Sequence, residues 1–527
     1  MPVISPGASR TDTVFRSVLT PGDRRLARER RTSDAALHDL ALDQVLDRLI
    51  KRAPAAADAF RTLCADEAEV SYRQEVFAAL DDDPLRNGVK AFLQEMDRSD
   101  VADAGAAHAH YPFEGELWRL EAVRRYVGAV TGLVDCLSGS ASAAGSVALT
   151  GLADHLAAYR ASAEFAQLER EAQGCRDELD ALDYNVLIRG GKVIVAPTDG
   201  EDDLREAVLD TFARFRSGDP EFAAETFRDP GLDHVQAWVL EKAALVHPGP
   251  FERLRRFTAS TESYRDEIVQ QFAAEVWFYL AWLEHIAPLQ AAGLPFCSPT
   301  VSAGTKELDA RDTFDVALAT RLAADGEPVV RNDIRLTAGE RVIIVSGPNQ
   351  GGKSTTARAF GQLHHLAGIG CPVPGRQVRV FLCDRVLTAF EREEQLDELE
   401  GRLGAEIQRM HELLTQATGN CVLVLNEVFS STALQDARIL TRDVLHRILD
   451  VDAIAICVTF IDELSRLDER TVSMVSTVDP HDAAVRTFRV ERREADGRAY
   501  ARALAARHGL TGPQITERMS ARKGQER

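Results

Sequence analysis

The feature that most constrains the fold is a glycine-rich turn in the stretch VIIVSGPNQGGKSTTARAF, residues 342–360. It lies between an apolar run of strand character and a helical run, and it matches the pattern G-x-x-x-x-G-K-[ST]. Glycines let the backbone wrap closely, so that successive N–H groups and the helix N-terminus face phosphate groups. A glycine-rich turn that matches by chance is the alternative, and the strand–turn–helix context disfavours it. The residues of this predicted nucleotide-binding loop are Gly347, Pro348, Asn349, Gln350, Gly351, Gly352, Lys353, Ser354 and Thr355.

Two side chains of this loop have predicted roles. We expect Lys353 to reach the β- and γ-phosphates of ATP and Ser354 to hold Mg²⁺. The loop therefore predicts ATP and Mg²⁺ as cofactors.

A second apolar run, VLVLNE at residues 422–427, ends in two polar side chains. A buried strand with this ending typically lies beside the phosphates, where Glu427 would orient or deprotonate the attacking water. Asn426 stands where an aspartate would accept a magnesium-bound water. Because Mg²⁺ keeps most of its waters, we expect the neutral Asn426 to weaken the metal site without abolishing it. The alternative is an ordinary core strand with polar end residues.

Chain length and composition bound the architecture. A chain of 527 residues exceeds what one hydrophobic core usually serves, so we expect two or more domains. The net charge of −20 argues against a dedicated nucleic-acid coat protein, which is normally basic. One dense basic segment, RRLARERR at residues 24–31, is either a nucleic-acid arm or, more commonly, a solvated or disordered lead-in.

The hydrophobic pattern predicts a multidomain protein, mostly α-helical at first and then α/β. Residues 1–35 form a basic, flexible segment in this prediction, and residues 36–310 a helical region with a β-hairpin near residues 184–197, turning at Gly190 and Gly191. Within it, residues 147–182 and 262–286 predict long helices, and the aromatic residues of the second are typical of core packing rather than base stacking. Residues 311–520 form the α/β domain and 521–527 a flexible tail. The predicted strands are 341–345, 378–382, 386–389, 422–425, 454–458, 472–476 and 485–490.

Other candidate sites are weaker. The eight cysteines form no CxxC pair, which favours buried thiols in a reducing cytoplasm over a metal site or a disulfide framework. His108 and His110 favour a surface loop over a metal site, and the adjacent His364 and His365 make a poor ligand pair. Neither a signal peptide nor an apolar run of membrane-spanning length is evident, so we expect a cytoplasmic protein without membrane contact.

Several motifs together resemble the ATPase domain of the MutS DNA mismatch-repair family. They are SGPNQGGKST, FEREE, LNEVFSSTALQDA and VTFIDEL. The resemblance covers residues 311–520 and implies a composite ATPase of the ABC type, in which two subunits' ATP sites face each other. More weakly, the helical region resembles the family's lever or core domain. We find no counterpart of the mismatch-reading domain, so the chain is identified as a short MutS-like paralogue.

The sequence departs from the family pattern at three places. Asn426 replaces the aspartate, and the family's Thr-His pair stands here as Thr459-Phe460, without a histidine sensor of the γ-phosphate. The segment LEGRLGAEIQRM has Gly401 or Gly404 but not the family's trans-acting serine. The stretch SSTALQDA at 430–437, with Ser431 and Thr432, fits the loop that crosses the dimer interface.

The sequence leaves more than one function open. The first is a slow, Mg²⁺-dependent ATPase that acts as an ATP-gated homodimeric switch and binds DNA, a partner implied by resemblance alone, in repair or recombination-related processing. The second is a nucleotide-gated scaffold with negligible hydrolysis and a partner other than DNA. A small-molecule kinase is disfavoured by the long helical N-terminal half.

Overall fold

The computed structural model describes residues 15–189, 192–198, 232, 234–391, 402–479, 481 and 485–495. The described residues form two compact units. The first combines the described parts of Met1–Ala78 and Ala274–Arg527, and the second those of Ala79–Ala273. This grouping is a matter of packing and does not test the boundaries at residues 35 and 310, which stay predictions.

Helices dominate the first half of the chain. In chain order they are α1 (Asp34–Asp39), α2 (Leu42–Arg52), α3 (Glu67–Leu80), α4 (Asp83–Ala107), α5 (Glu114–Ser138), α6 (Ala141–Ala144), α7 (Val147–Arg160), α8 (Ala163–Asp180), α9 (His234–Val246), α10 (Pro248–Ser260), α11 (Glu267–Glu275), α12 (Trp277–Ala291), α13 (Val316–Ala324), α14 (Lys353–Gly368), α15 (Arg402–Gln416) and α16 (Leu434–Asp450).

Strands are concentrated in the second half. They are β1 (Tyr184–Arg189), β2 (Lys192–Pro197), β3 (Phe296–Cys297), β4 (Thr300–Ser302), β5 (Leu308–Thr313), β6 (Asn332–Leu336), β7 (Val342–Ser346), β8 (Val373–Pro374), β9 (Gln377–Phe381), β10 (Arg385–Phe390), β11 (Cys421–Asn426), β12 (Ile454–Val458), β13 (Thr471–Val478) and β14 (Arg486–Arg492).

A six-stranded sheet in the order β10-β11-β12-β7-β13-β14 organises the first unit. Its first five strands run parallel and β14 pairs antiparallel with β13. β7 and β12 are buried along their whole length, because helices cover both faces of a parallel sheet. That burial explains why these strands read as unbroken apolar runs. A four-stranded sheet in the order β4-β9-β5-β6 and the short pair β3-β8 lie in the same unit.

The N-terminal segment packs along α14, the helix that follows the glycine-rich loop. Gln362 Nε2 donates to the Leu40 carbonyl at 2.8 Å, and Arg358 Nε donates to the Asp39 carbonyl at 3.1 Å. Beyond the helix end, Arg73 Nη1 donates to the Ile369 carbonyl at 3.0 Å. The polar groups of the buried helix α14, and the carbonyl just beyond its end, therefore find hydrogen-bond partners at the end of α1 and in α3.

This packing corrects the expectation of a flexible basic segment for its described part, from residue 15. Ser17, Val18, Leu19 and Thr20 are buried, and residues 28–30 form a 3₁₀ turn. Three arginines of the basic run have intramolecular partners: Arg24 pairs with Asp66, Arg31 pairs with Asp58, and Arg30 Nη1 donates to the Cys64 carbonyl. The arginines make these contacts because their long side chains reach back over the surface of the same unit.

Two long helices predicted from the sequence are interrupted. The stretch 147–182 divides into α7 and α8, because Ser162 Oγ accepts the amide of Phe165 and caps a new helix. The stretch 262–286 does not begin as a helix until Glu267, where Asp266 accepts the amide of Val269 at 2.9 Å. It breaks again at Val276, between α11 and α12. The apolar periodicity continues across both breaks, so it does not reveal them.

The aromatic residues of α11 and α12 are core residues, as predicted. Phe272, Tyr279 and Val276 are buried, and Tyr279 stacks edge-on against Phe77 at 4.8 Å. The rings of Phe272, Phe278, Tyr279 and Trp282 are buried and cannot stack on bases, and Trp277 is half-buried.

The second unit is a helical assembly around α4 and α5. Tyr264 Oη donates to Asp103 at 2.9 Å, and Arg265 donates to the same carboxylate and to Ser99. β1 and β2 pair antiparallel from Tyr184–Pro197 to Arg189–Lys192, within the stretch predicted as a hairpin; its turn lies outside the described residues. No helix of the described ranges has both the length and the apolar character needed to cross a bilayer.

All eight cysteines are free thiols, and six of them are buried. Burial raises the pKa of the Cys64 and Cys457 thiols to about 12. The expectation of buried thiols is correct for these six residues, and Cys136 and Cys297 are half-buried. His108 and His110 are exposed, as expected for a surface loop.

Candidate nucleotide-binding site

Three strand ends meet at one edge of the six-stranded sheet. The residue pairs Asn426–Val458 and Val458–Val345 join the ends of β11, β12 and β7. The glycine-rich loop leaves β7 at this edge and α14 begins at Lys353. The carboxyl edge of a parallel sheet is where α/β proteins bind ligands, because loops there converge while the sheet stays rigid.

The loop has a conformation that only glycine adopts easily at two positions. Gly347 has φ 112° and Gly352 has φ 91°. A Cβ on Gly347 would lie 2.6 Å from Ser476 Oγ and 2.9 Å from the Ser476 carbonyl oxygen. Gln350 also has a left-handed φ, 61°. The backbone is therefore wrapped in the manner that presents N–H groups to an anion.

Lys353 is buried within the loop, with 4% of its surface exposed. Its ammonium donates to the Gly347 carbonyl at 3.0 Å and to Asn349 Oδ1 at 3.1 Å, and lies 3.7 Å from a carboxylate oxygen of Glu427. Burial lowers the pKa of Lys353, and the adjacent Glu427 opposes that shift. A desolvated ammonium at this place is poised to interact with an anion, because Coulomb attraction is stronger away from bulk water.

Glu427 also has an unusual backbone, with φ 53°. Its amide donates to the Val458 carbonyl at 3.0 Å, which continues the β11–β12 pairing by one residue. The side chain keeps partial exposure and lines a cavity of about 260 Å³ between α1, the end of β10 and α15. The carboxylate is thus accessible to water while its backbone is fixed.

Asn426 presents a buried oxygen without a partner. Its Oδ1 has no hydrogen bond to any described residue, although it is shielded from solvent. Buried polar atoms are almost always satisfied, so an unmade bond at this position indicates a missing water, ion or ligand. The orphaned oxygen fits a magnesium-bound water, and Ser354, the second residue of α14, fits the expected metal ligand. Within the described ranges no cluster of three His, Cys, Asp or Glu side chains could hold a metal by itself.

Hydrogen bonds fasten the loop after Glu427 to two neighbouring elements. Ser430 Oγ donates to Glu391 at the end of β10 at 3.0 Å, and Ser431 Oγ donates to Glu406 on α15 at 3.0 Å. Between them and Glu427, Phe429 is buried with a left-handed φ of 59°. Two left-handed residues within three positions cost free energy, so the anchoring contacts are what keep the loop in this form.

Some of the remaining predicted site residues lie at the carboxyl edge of the six-stranded sheet, and others lie on neighbouring helices and loops. Thr459 is buried beyond β12; its amide donates to the Val345 carbonyl at 3.0 Å and its hydroxyl accepts the Ile461 amide. Phe460, where the family pattern has histidine, is 52% exposed. Gly404 lies on the exposed side of α15, and Gly401 lies outside the described residues. Pro348 and Gly351 lie in the loop, Thr355 lies in the first turn of α14, and Thr432 follows the anchored serines.

Two residues near the loop were not identified from the sequence. Ser476, the residue against which Gly347 and Gly351 pack, has a fully buried hydroxyl with no partner among the described residues. Arg486 Nε donates to the Asn349 carbonyl at 3.1 Å. Both belong to strands that sequence analysis located, but the positions of β13 and β14 beside β7 are set by the sheet order, which the sequence pattern does not give.

Comparison with known proteins matches this site to one family. Residues 343–505 match the sequence model of MutS domain V. The DNA mismatch repair protein MutS of Chlorobaculum tepidum is 28% identical over 304 residues, which are 56% of this chain and 33% of that protein. The MutS of Sorangium cellulosum is 30% identical over 241 residues, 45% of this chain and 25% of that protein. The Endonuclease MutS2 of Gemmatimonas aurantiaca is 26% identical over 257 residues, 48% of this chain and 30% of that protein.

The chain spans only a quarter to a third of the length of these curated relatives. The matched region contains the glycine-rich loop, β11 with Asn426 and Glu427, and the strand that carries Ser476. Over this region the chain is therefore similar to MutS domain V, and the glycine-rich loop and the end of β11 lie at one edge of its sheet.

Proposed function

We propose that this protein is an ATP-dependent, DNA-binding ATPase of the MutS type that acts as an ATP-gated dimeric switch in DNA repair or recombination-related processing. The observation that carries the proposal is the approach of Lys353 Nζ to Glu427 at 3.7 Å, within a glycine loop at the carboxyl edge of a parallel sheet. This arrangement supports the proposal, because a buried ammonium lies beside a partly exposed carboxylate.

ATP would supply a phosphoanhydride bond, and Mg²⁺ would neutralise charge on its phosphates. The backbone of residues 347–352 and the ammonium of Lys353 would bind the phosphates, and Ser354 and Asn426 would hold the metal and its water shell. On binding, Lys353 would exchange its hydrogen bonds to the Gly347 carbonyl and to Asn349 Oδ1 for contacts with phosphate oxygens.

Glu427 would act on the attacking water. Its carboxylate would accept a hydrogen bond from that water and orient it. It would receive the water's proton as the water oxygen bonds to the γ-phosphorus and the bond from that phosphorus to the bridging oxygen breaks, which releases ADP and phosphate. The anchors of the following loop, from Ser430 to Glu391 and from Ser431 to Glu406, would keep this carboxylate in place. Asn426 lacks the charge of an aspartate, so we expect slow turnover.

Steady-state ATP hydrolysis tests the enzymatic part. We expect slow turnover by the wild type, a loss of at least about a hundredfold in Glu427→Gln with ATP binding retained, and loss of binding in Lys353→Ala. If the wild type hydrolyses ATP no faster than Lys353→Ala, the proposal that the protein is an ATPase is wrong.

Dimer formation through the ATPase domains is proposed on the family resemblance. Two apolar side chains of the domain, Phe460 and Leu434, are 52% and 60% exposed, and Leu434 begins α16 three positions after the anchored Ser431. Light scattering of Glu427→Gln with and without ATP tests the switch. We expect the dimer fraction to rise with ATP, and a mass that ATP leaves unchanged would contradict it.

DNA as the partner also rests on the relatives. With a net charge of −20, we expect binding that weakens steeply with salt and depends on local basic groups. Fluorescence anisotropy against duplex, mismatched and branched DNA, with and without ATP and over a salt series, tests it. Equal absence of binding to every DNA at low salt would eliminate DNA as the partner.

Two observations favour a second candidate, a nucleotide-gated scaffold with negligible hydrolysis and a non-DNA partner. Asn426 removes a charge from the metal shell, and the exposed Phe460 has no group that could bind a γ-phosphate by hydrogen bonding. ATP binding and ATP-dependent dimerisation without measurable turnover would establish this alternative.

A further inference from the structure

Ser476 has a buried hydroxyl without a partner against the glycine-rich loop. The residue is 0% exposed, and its Oγ has no hydrogen bond to any described residue. A Cβ built on Gly347 or on Gly351 would lie 2.6 Å from this Oγ, so the hydroxyl lies against two glycines of the loop. A buried hydroxyl that makes no hydrogen bond costs free energy. The hydroxyl of Ser476 therefore destabilises the ligand-free domain.

The sheet fixes Ser476 in this position. β13 pairs in parallel with β7 as far as Val475 and Ser346, the residues just before Ser476 and Gly347. The Ser476 backbone is also close to the loop, since its carbonyl oxygen would lie 2.9 Å from a Cβ on Gly347. Just beyond, the pairing of β13 with β14 shifts register between Ser476 and Val478. The backbone of β13 therefore holds the hydroxyl beside the first residue of the loop.

The carbonyl of Gly347 accepts a hydrogen bond from a different group. Lys353 Nζ donates to this carbonyl at 3.0 Å and to Asn349 Oδ1 at 3.1 Å. If the proposed function holds, a bound phosphate draws the ammonium away, and the Gly347 carbonyl loses its donor. A backbone acceptor without a donor beneath a bound ligand costs about as much free energy as a lost hydrogen bond. The loop thus needs a new donor at Gly347 when the ligand binds.

We propose that Ser476 is a positioning residue of the phosphate loop, and that its hydroxyl donates to the Gly347 carbonyl once Lys353 has turned to a phosphate. A hydroxyl can donate to a carbonyl, so the exchange leaves each of the three groups with a partner in the bound state. The orphaned hydroxyl raises the free energy of the ligand-free loop, and its new bond lowers that of the bound loop. Both effects favour binding of the ligand.

This proposal rests on the proposed function of the same loop, and it adds how the loop exchanges its hydrogen-bond partners. The exchange involves neither a base nor a ribose. The ligand feature that drives it is therefore a polyphosphate group alone, and inorganic tripolyphosphate is a sufficient probe.

Ligand-free stability tests the exchange without any nucleotide. Ser476→Ala removes the unsatisfied hydroxyl, so we expect a higher urea midpoint than that of the wild type. Lys353→Met removes the donor of the Gly347 carbonyl and keeps most of the side-chain volume. In that background the Ser476 hydroxyl donates to the carbonyl, so adding Ser476→Ala should lower the urea midpoint. A hydroxyl that only fills space would give shifts of the same sign in both backgrounds.

Binding of a phosphate ligand tests the bound state. Calorimetric titration of the full chain with magnesium tripolyphosphate and with magnesium ATP measures both affinities. We expect Ser476→Ala to weaken both by a similar factor, about 5- to 150-fold, which corresponds to one buried group left unsatisfied. Ser473→Ala is the matched control, because Ser473 is on the same strand and its buried hydroxyl also has no partner among the described residues. We expect Ser473→Ala to raise the urea midpoint and to leave both affinities unchanged.

The outcomes are distinct. Urea shifts of the same sign in the two backgrounds would overturn the proposal, and so would wild-type affinity of Ser476→Ala for tripolyphosphate. A loss of affinity that Ser473→Ala shares would overturn it too, because the loss would then come from the strand and not from the loop contact. These three results leave the proposed function standing, and calorimetry decides alone if Lys353→Met does not fold. A wild type that binds tripolyphosphate and ATP no more tightly than Lys353→Ala would instead overturn the proposed function, and this proposal with it.

Discussion

The hydroxyl of Thr32 lies 3.0 Å from Nδ1 of His365, and the other ring nitrogen faces the Phe60 carbonyl at 2.9 Å. A carbonyl can only accept, so Nε2 of His365 carries the proton and Nδ1 accepts from the Thr32 hydroxyl. The ring is fully buried in α14, and burial lowers its pKa to about 4. The neutral imidazole is thus part of the contact between the N-terminal segment and the loop-bearing helix.

Stability should consequently fall in acid. The unfolded histidine titrates near 6.5 and the folded one near 4, so the unfolded chain binds the proton first as pH decreases. The effect is absent above about pH 6.5, grows between pH 6.5 and 4, and reaches about 3 kcal/mol per buried histidine below that range. His364, also buried with a pKa lowered to about 4, adds to it. Urea denaturation at pH 7.5, 6, 5 and 4 measures the slope.

The histidine variant makes this prediction specific. His365→Gln should lower the stability at pH 7.5 by about 1–3 kcal/mol, through lost buried hydrogen bonds, but should show a shallower loss toward pH 4. An unchanged acid slope in this variant would show that other groups are responsible.

Gly347→Ala should impair nucleotide binding. The substitution forces a Cβ into the Ser476 backbone at a φ that alanine disfavours, so the loop must move. We expect ATP affinity to fall about tenfold or more and stability to fall by about 1–3 kcal/mol. Gly339→Ala is the matched control, because a Cβ there meets open space and its φ is not left-handed. Similar ATP affinities for both variants would contradict the steric argument.

Asn426→Asp should strengthen the metal site. A carboxylate in place of the orphaned amide oxygen restores the charge that a magnesium-bound water favours. We expect half-maximal turnover at a lower Mg²⁺ concentration and hydrolysis faster by about tenfold. ATPase rates over a Mg²⁺ titration check this. A Mg²⁺ dependence identical to that of the wild type would show that Asn426 does not contact the metal shell.

Removing Arg73 should be strongly destabilising. Its guanidinium is fully buried, pairs with the buried Glu69 at 2.8 Å, and donates to the carbonyls of Leu19 and Ile369. Arg73→Met leaves an unpaired buried carboxylate, for which we expect a loss of about 3–5 kcal/mol in chemical denaturation. The exposed pair of Arg98 with Glu95 is the control, and Arg98→Met should change stability by at most about 0.5 kcal/mol. Comparable losses in the two variants would refute the role of burial.

The buried strands of the six-stranded sheet could be predicted from the sequence, but the four-stranded sheet β4-β9-β5-β6 could not. β7, β11 and β12 are apolar along nearly their whole length, because both sheet faces are covered. β5, with the sequence LDARDT, alternates buried with partly exposed positions and carries three charges, so it resembles a surface turn. The docking of residues 15–35 was missed for a similar reason, since an arginine-rich composition is typical of solvated chain.

Only part of the candidate site could likewise be predicted from the sequence. Lys353 and Glu427 belong to motifs whose spacing carries the information, and the structure brings them together. Ser476 and Arg486 reach the loop only through the order of β7, β13 and β14, which is a property of the assembled sheet. No local pattern in the sequence encodes such a neighbourhood.

The contact between Thr32 and His365 spans 333 residues, and this has a consequence for synthesis on the ribosome. At about 5–20 residues per second, the N-terminal segment waits roughly 20–70 s for the helix that it covers. During that time the apolar groups of Val18, Leu19 and Leu37 lack their final partners. The first unit is therefore expected to complete its folding late, after the intervening unit has emerged.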